Sequence, residues 1–217
     1  MNERGVLWDL DGTLADSRVY HWQAWRDTMA GAGVTITEAQ FEKSFGQRND
    51  AILTAWLGEG TTPDRIREIG DAKEALYRTL MARGGIEPLP GASEWVRRLH
   101  DDGWRQAIAS SAPRENVDLM VRMLGFRDLI DAIVSAEDVR AGKPDPEVFL
   151  TAASQLGVEP QACVVVEDAA AGVEAARRGG LRSIGVGTGP LQAADLTVRS
   201  LDELPPDAFD RLVPRRT

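Results

Sequence analysis

The amino-acid sequence, 217 residues long, predicts an α/β fold in which a parallel sheet is covered by helices on both faces and interrupted by an all-helical insertion. Three observations carry this expectation. Short β-type runs recur with helical stretches between them, the pattern of a parallel sheet. The run Cys163-Val164-Val165-Val166 is apolar at every position, as a strand buried on both faces should be. From Asp16 to about Arg83 the pattern is helical almost throughout, too long for one crossover helix.

Taken in order, the first strand is read over Gly5 to Leu10. The insertion follows, with helices at Tyr20 to Ala32, from a Thr37-x-x-Gln40 capping box, at Asn49 to Leu57, and from Thr62-Pro63 to about Ala82. The chain leaves it near Gly84-Gly85 to Pro90, so residues 16–85 form one unit and residues 1–15 with 86–217 form the other. Further strands are read at Arg105 to Ser110, Ala132 to Val134, Ala162 to Val166, Arg182 to Val186 and Leu196 to Val198. Pro113 opens a helix reaching Leu124, and Asp145-Pro146 opens another ending at Leu156 before Gly157. A third spans about Ala170 to Arg178. The end, Leu204 to Thr217, reads as a short covering helix and a frayed tail.

Composition narrows the function. Lys and Arg total 25 against 34 Asp and Glu, a formal charge of −9 that opposes nucleic acid or an anionic bilayer as partner. The lone Cys163 can form neither an internal disulfide nor a Cys-rich zinc site, and is read as a core residue. Val6 to Leu10 is too short, and too soon followed by Asp11, for a signal peptide or a spanning helix, so a cytoplasmic protein is expected. Only Lys43, Lys73 and Lys143 are lysines, so arginine is the default cation here.

The chemistry-bearing residues fall where strands end. Asp9-Leu10-Asp11-Gly12-Thr13 can turn two carboxylates into one cleft, one to attack and one to handle a proton, or both to hold a cation; it can equally be a solvated turn. Ser110-Ser111 precedes a helix start, where hydroxyls and free amides bind phosphate or simply cap the helix. Lys143 stands in Gly142-Lys143-Pro144, a turn that Pro144 keeps from being helical; an isolated loop lysine would ordinarily be solvated. Glu167-Asp168 follows the buried Val164 to Val166, so at least one carboxylate emerges at the sheet edge that carries Asp9. The alternative is an acidic helix start.

Together, in chain order, Asp-x-Asp-Gly-Thr, a strand-end Ser, Lys-Pro and Glu-Asp resemble the haloacid dehalogenase superfamily over essentially the whole chain, in its phosphatase branch with a helical cap after the first motif. The resemblance implies a Rossmann-like three-layer core, Mg²⁺ and an aspartyl-phosphate intermediate. It makes Asp9 the nucleophile and Asp11 the general acid and base. Ser110 and Lys143 would hold the phosphoryl oxygens. Asp9, the Asp11 carbonyl, Asp168 and Glu167 would be the metal set. Such a cation and ammonium offset the repulsion between phosphate and carboxylate.

Within the superfamily, Asp16-Ser17, Tyr20-His21, Arg48 and Lys73 look like elements of β-phosphoglucomutase and related sugar-phosphate phosphatases. On that resemblance His21, Arg48 and Lys73 of the cap, with Ser111 and Arg114 of the core, bind substrate. Surface charge for Arg48 and Lys73, and helix packing for His21, are the plainer alternatives. Where the mutase pattern has Ser-Lys-Asn after the second strand, this chain has Ala112-Pro113-Arg114. The expected function is therefore a Mg²⁺-dependent phosphatase of a small phosphorylated metabolite, most simply a sugar phosphate, with a phosphosugar mutase as runner-up. A monomer is expected. A catalytically idle metal-binding protein on this fold would have lost a catalytic group, and none is missing; a phospho-acceptor signalling domain would lack the helical insertion.

Overall fold

The structure, a computed structural model, describes residues 3–214 and divides into two compact units, Met1–Asp16 with Glu87–Thr217 and Ser17–Ile86. The first is a Rossmann-like α/β fold. Its strands are β1 (Gly5–Trp8), β2 (Arg105–Ala109), β3 (Ala132–Val134), β4 (Cys163–Glu167), β5 (Arg182–Val186) and β6 (Leu196–Val198). All pair in parallel, in the order β3-β2-β1-β4-β5-β6. The order reverses at β1 beside β4, and the carboxyl ends around such a switch point are where open α/β sheets bind ligands.

The pleat sends alternate side chains to opposite faces, and both faces are apolar because both are covered. On one, Leu7, Ala107 and Val165 pack with Phe149, Ala152, Ala153 and Leu156 of α7 (Glu147–Leu156) and with Ala175 and Ala176 of α8 (Ala170–Arg178). On the other, Trp8 and Trp95 meet Phe209 at ring-centroid distances of 6.0 and 5.1 Å. Trp95 lies in α5 (Ala92–Asp101) and Phe209 in α9 (Ala208–Leu212). Cys163 is buried in the first of these layers, as expected, and burial pushes its thiol up to about 12.

Several bounds differ from expectation by a residue or two. β1 and β2 stop at Trp8 and Ala109, because Leu10 and Ser110 already belong to the turns that carry the site. Pro113 and Pro146 cap α6 (Arg114–Met123) and α7 instead of lying inside them. The amides they free find carboxylates: the Arg114 N–H donates to Glu137, and the Glu147 N–H to Asp145. The helix α5 has no counterpart in the sequence reading. It begins at Gly91, whose φ of +82° and close approach to the Asp202 backbone, 2.3 Å from any added Cβ, exclude other residues. The covering helix near the C-terminus is α9; the expected frayed tail reaches into residues 215–217, outside the described residues.

The second unit is entirely helical: α1 (Arg18–Gly31), α2 (Glu38–Ser44), α3 (Asn49–Leu57) and α4 (Pro63–Gly84). The capping box forms, the Gln40 N–H donating to the Thr37 hydroxyl oxygen and the Thr37 N–H to the Gln40 side chain. Trp25, Met29, Phe41, Leu53 and Ile69 make a separate core for this unit.

Candidate active site

The parallel register decides which side chains meet. Trp8 is level with Ile108 on one side and Val166 on the other, so Asp9, Ser110 and Glu167 leave the sheet at the same edge. The Asp9 N–H still donates to the Val166 carbonyl at 2.9 Å, which anchors the first residue past the strand. The chain then turns sharply, with Leu14 and Ala15 donating back to the Leu10 carbonyl. Gly12 makes the turn possible twice over. Its φ is +90°, and a Cβ there would lie 2.1 Å from the Asp168 carboxylate.

At the centre is the Lys143 ammonium. It donates to Asp9 Oδ1 at 2.5 Å and to Glu167 Oε2 at 2.7 Å, with its side chain only 6% exposed. Burial alone would drive off its proton, but the two carboxylates outweigh that and hold it charged. Glu167 is fixed from behind: its Oε1 accepts the Ala169 N–H at 3.1 Å. Gly172 makes room for it, since a Cβ there would come within 2.0 Å of the Glu167 carboxyl. The Lys143–Pro144 peptide is cis. The plainer alternative, Lys143 as a solvated loop charge, is therefore excluded.

Asp9, Glu167 and Asp168 each offer a carboxylate oxygen, and these lie within 4.8 Å of one another. Three carboxylates face one ammonium. Burial, and then the charges of Glu167 and Asp168, raise the Asp9 carboxyl well above the usual range despite the opposing Lys143. An all-oxygen set of three carboxylates suits a hard divalent cation such as Mg²⁺. The residues present thus fit the metal that the sequence implied.

Ser110 is 2% exposed, and its Oγ accepts the Ala112 N–H at 3.1 Å, which leaves its own hydrogen to donate. Ser111 lies beside it in the same turn, half-buried. Asp11 lies two residues past Asp9, at the mouth of the turn, and is bridged to Ala15. Arg114 is placed differently from the sequence expectation. Its Nη1 donates to the Ile133 carbonyl at 2.8 Å and its Nη2 to Asp138, so the guanidinium braces the loop after β3 instead of standing open to a ligand. Burial would raise the Asp138 carboxyl, but Ser135 and Arg114 hold it below the usual range.

In the helical unit, His21, Arg48 and Lys73 come from α1, the start of α3 and α4. Lys73 is not a surface cation. Its side chain is 2% exposed, its Nζ lies 2.9 Å from His21 Nδ1, and it donates to Glu74 Oε1 at 2.8 Å. Glu74 also accepts from Asn49 Nδ2 at 2.6 Å. Burial pushes the Glu74 carboxyl up, but Lys73, His21 and the two hydrogen bonds outweigh it and hold it low. The His21 ring stacks on Tyr77 with centroids 4.1 Å apart. Arg48 is 27% exposed, with its Nε 3.4 Å from Asp50. Neither Glu74 nor Asn49 was read from the sequence as a site residue; a glutamate directly after the one lysine of a long helix was the available signal.

A parallel sheet gathers at one edge an aspartate after the first strand, a strand-end serine, a buried lysine and an acidic pair, a set that can hold a phosphoryl group. The sequence matches the haloacid dehalogenase-like hydrolases over residues 6–186, and the chain belongs to that family. It is 32% identical to the β-phosphoglucomutase of Bacillus subtilis (strain 168) over 93% of this chain and 91% of that protein. It is 31% identical to hexitol phosphatase B of Escherichia coli (strain K12) over 92% of this chain and 93% of that protein. The crystal structure of a β-phosphoglucomutase from Clostridium difficile superposes with a TM-score of 0.88 at 26% identity, covering 97% of this chain and 96% of that one. Within the family the chain is a phosphoric monoester hydrolase.

Proposed function

We propose that the enzyme is a Mg²⁺-dependent phosphatase acting on a small phosphorylated metabolite, most simply a sugar phosphate, through a phosphoryl group carried on Asp9. The observation that carries this reading is the ammonium of Lys143 seated between Asp9 and Glu167, with Asp168 at the same edge. An Asp9 carboxylate oxygen attacks phosphorus while the bond from phosphorus to the ester oxygen breaks. Asp11 gives its proton to the departing alkoxide. Asp11, now a carboxylate, takes a proton from water, whose oxygen attacks phosphorus and releases inorganic phosphate and the Asp9 carboxylate. Lys143 and the Ser110 hydroxyl hold the equatorial oxygens, with Ser111 beside them. Asp9, Asp168 and the Asp11 carbonyl would hold Mg²⁺, which when bound offsets the charge between carboxylate and phosphate. Glu167 stands close enough to join them. Both its oxygens already accept hydrogen bonds, which suits it first to fixing Lys143.

In this reading Arg48 and His21 recognise the remainder of the substrate, and Lys73, buried between His21 and Glu74, acts by holding that pair in place. The similarity to β-phosphoglucomutase favours a second reading, in which a sugar hydroxyl takes the place of water. Ala112-Pro113-Arg114, with Arg114 held by Asp138, offers no replacement for a Ser-Lys-Asn grip on a distal phosphate. Phosphate release from a panel of phosphorylated metabolites, run beside conversion of β-glucose 1-phosphate, tests both. Release with Mg²⁺ and none without it is the expected result. Isomerisation without release would replace the phosphatase by the mutase. No helix among the described residues is long and apolar enough to cross a membrane. We take the enzyme to act as a cytoplasmic monomer.

A further inference from the structure

Every strand of the sheet runs the same way, so the edge opposite Asp9 gathers the strand starts. A cavity of about 410 Å³ lies there, between the beginnings of β1, β4 and β5 and the last described turn. That is within the roughly 300–1,000 Å³ typical of small-molecule sites. Although the chain carries a formal charge of −9, three arginines, Arg4, Arg177 and Arg182, line this cavity against one carboxylate, Asp195. The carboxylate is already engaged: Arg182 donates to its Oδ1 and the Ser183 N–H to its Oδ2, each at 2.8 Å.

Arg4 is the most constrained of the three. It is 7% exposed, and its guanidinium carbon lies over the Trp104 ring, 3.9 Å from the centroid. Nη1 donates to Asp210 and, at 3.2 Å, to the Val213 carbonyl. Nε and Nη2 donate to no described residue. These two nitrogens form the side-on fork that pairs with two oxygens of a carboxylate or phosphate. Ser183 is 2% exposed, lines the same cavity, and its hydroxyl has no hydrogen-bond partner among the described residues. A fork and a hydroxyl that no described residue engages, both belonging to residues that line the cavity, are donors that a ligand can take up.

We propose that this cavity is a binding site for a small metabolite carrying a carboxylate or phosphate group, with Arg4 as its bidentate anchor, Ser183 as a second donor and Arg182 at its rim. It is separate from the catalytic edge, since the whole length of β1 lies between Arg4 and Asp9. The test is a titration of the full chain with inorganic phosphate and, separately, with malonate, followed at the Trp104 indole N–H by NMR, with Trp104→Phe identifying that signal. Phosphate also suits the catalytic edge, but only an occupant of the cavity contacts the guanidinium stacked on Trp104. A saturable shift of the Trp104 signal is expected. Arg4→Lys keeps the charge without the fork and should weaken binding about tenfold or more, the size of one lost charge-assisted hydrogen bond. Ser183→Ala and the rim variant Arg182→Gln leave the stacked pair in place and should each weaken binding several-fold. A response to phosphate alone assigns a phosphorylated ligand, and a response to malonate assigns a carboxylate. No saturable shift with either anion, or shifts that all three variants leave unchanged, would overturn the proposal.

Discussion

Asp9 sits in an unfavourable field that its chemistry requires. Buried beside Glu167 and Asp168, its carboxyl is raised well above the usual range, and Lys143 is the neighbour that opposes the rise. Asp9→Asn removes a like charge at nearly constant volume, so turnover should vanish while the melting temperature holds or rises; wild-type kcat with an unchanged melting curve would remove Asp9 from the nucleophile's place. Lys143 makes two short contacts from a single nitrogen, a geometry suited to a compact ammonium. Lys143→Arg should therefore lower kcat/KM by about a hundredfold or more, as loss of one charge-stabilising donor does. Retention of most of the wild-type value would make the residue a peripheral charge. These residues were legible in the sequence because each chemistry-bearing type follows a strand. Arg114 was misleading for the same reason: it has the right position and charge, but its orientation depends on Asp138, distant in sequence, which no local pattern reveals.

Elements were legible to the extent that their signals were local. α3, α8, β3, β5 and β6 have the bounds that punctuation and apolar runs indicate. The helix α5 was not read, although Ala92, Trp95, Val96 and Leu99 form an apolar stripe, because its start is fixed by the distant Asp202 backbone pressing on Gly91. Gln106 was equally hidden. A buried amide in a strand reads as a defect, yet it accepts from Trp8 Nε1 at 2.9 Å and donates to the Val96 carbonyl at 2.8 Å, tying β1, β2 and α5 together. The close seat of α8 on Glu167 leads to a test at this scale. Gly172→Ala places a methyl group into the carboxyl that fixes Lys143, and overpacking of this kind costs about 1–3 kcal/mol. Urea denaturation should show that loss, and kcat should fall with it because Lys143 is displaced. Unchanged kcat in the folded variant would show that Glu167 does not position the ammonium.

At the scale of the molecule, the chain joins a sheet unit, where phosphoryl chemistry is set by register, to a helical unit with its own core and its own buried charges. Arg48 and Lys73 look equivalent in sequence, but the structure separates them. Lys73 is nearly inaccessible and holds Glu74, and truncating one partner of a buried ion pair strands the other at a cost of about 3–5 kcal/mol. The Glu74 carboxyl is held low, so its contribution to stability is complete above the usual carboxylate range and is lost as pH falls through its lowered value. Lys73→Met should therefore destabilise the helical unit at neutral pH and reduce its sensitivity to acid, as Glu74→Gln should. Arg48 is partly exposed, with 27% of its side chain accessible against 2% for Lys73, so Arg48→Ala should cost the denaturation curve less than Lys73→Met. If Arg48 binds the remainder of the substrate, its loss should lower kcat/KM about tenfold or more on the best metabolite of the panel, and little on p-nitrophenyl phosphate, which has no such remainder. The deciding quantity is the ratio of the two losses, measured for Arg48→Ala in the folded protein. A ratio near one would mean that Arg48 supports the general field of the enzyme, and recognition of the metabolite by the helical unit would have to be given up.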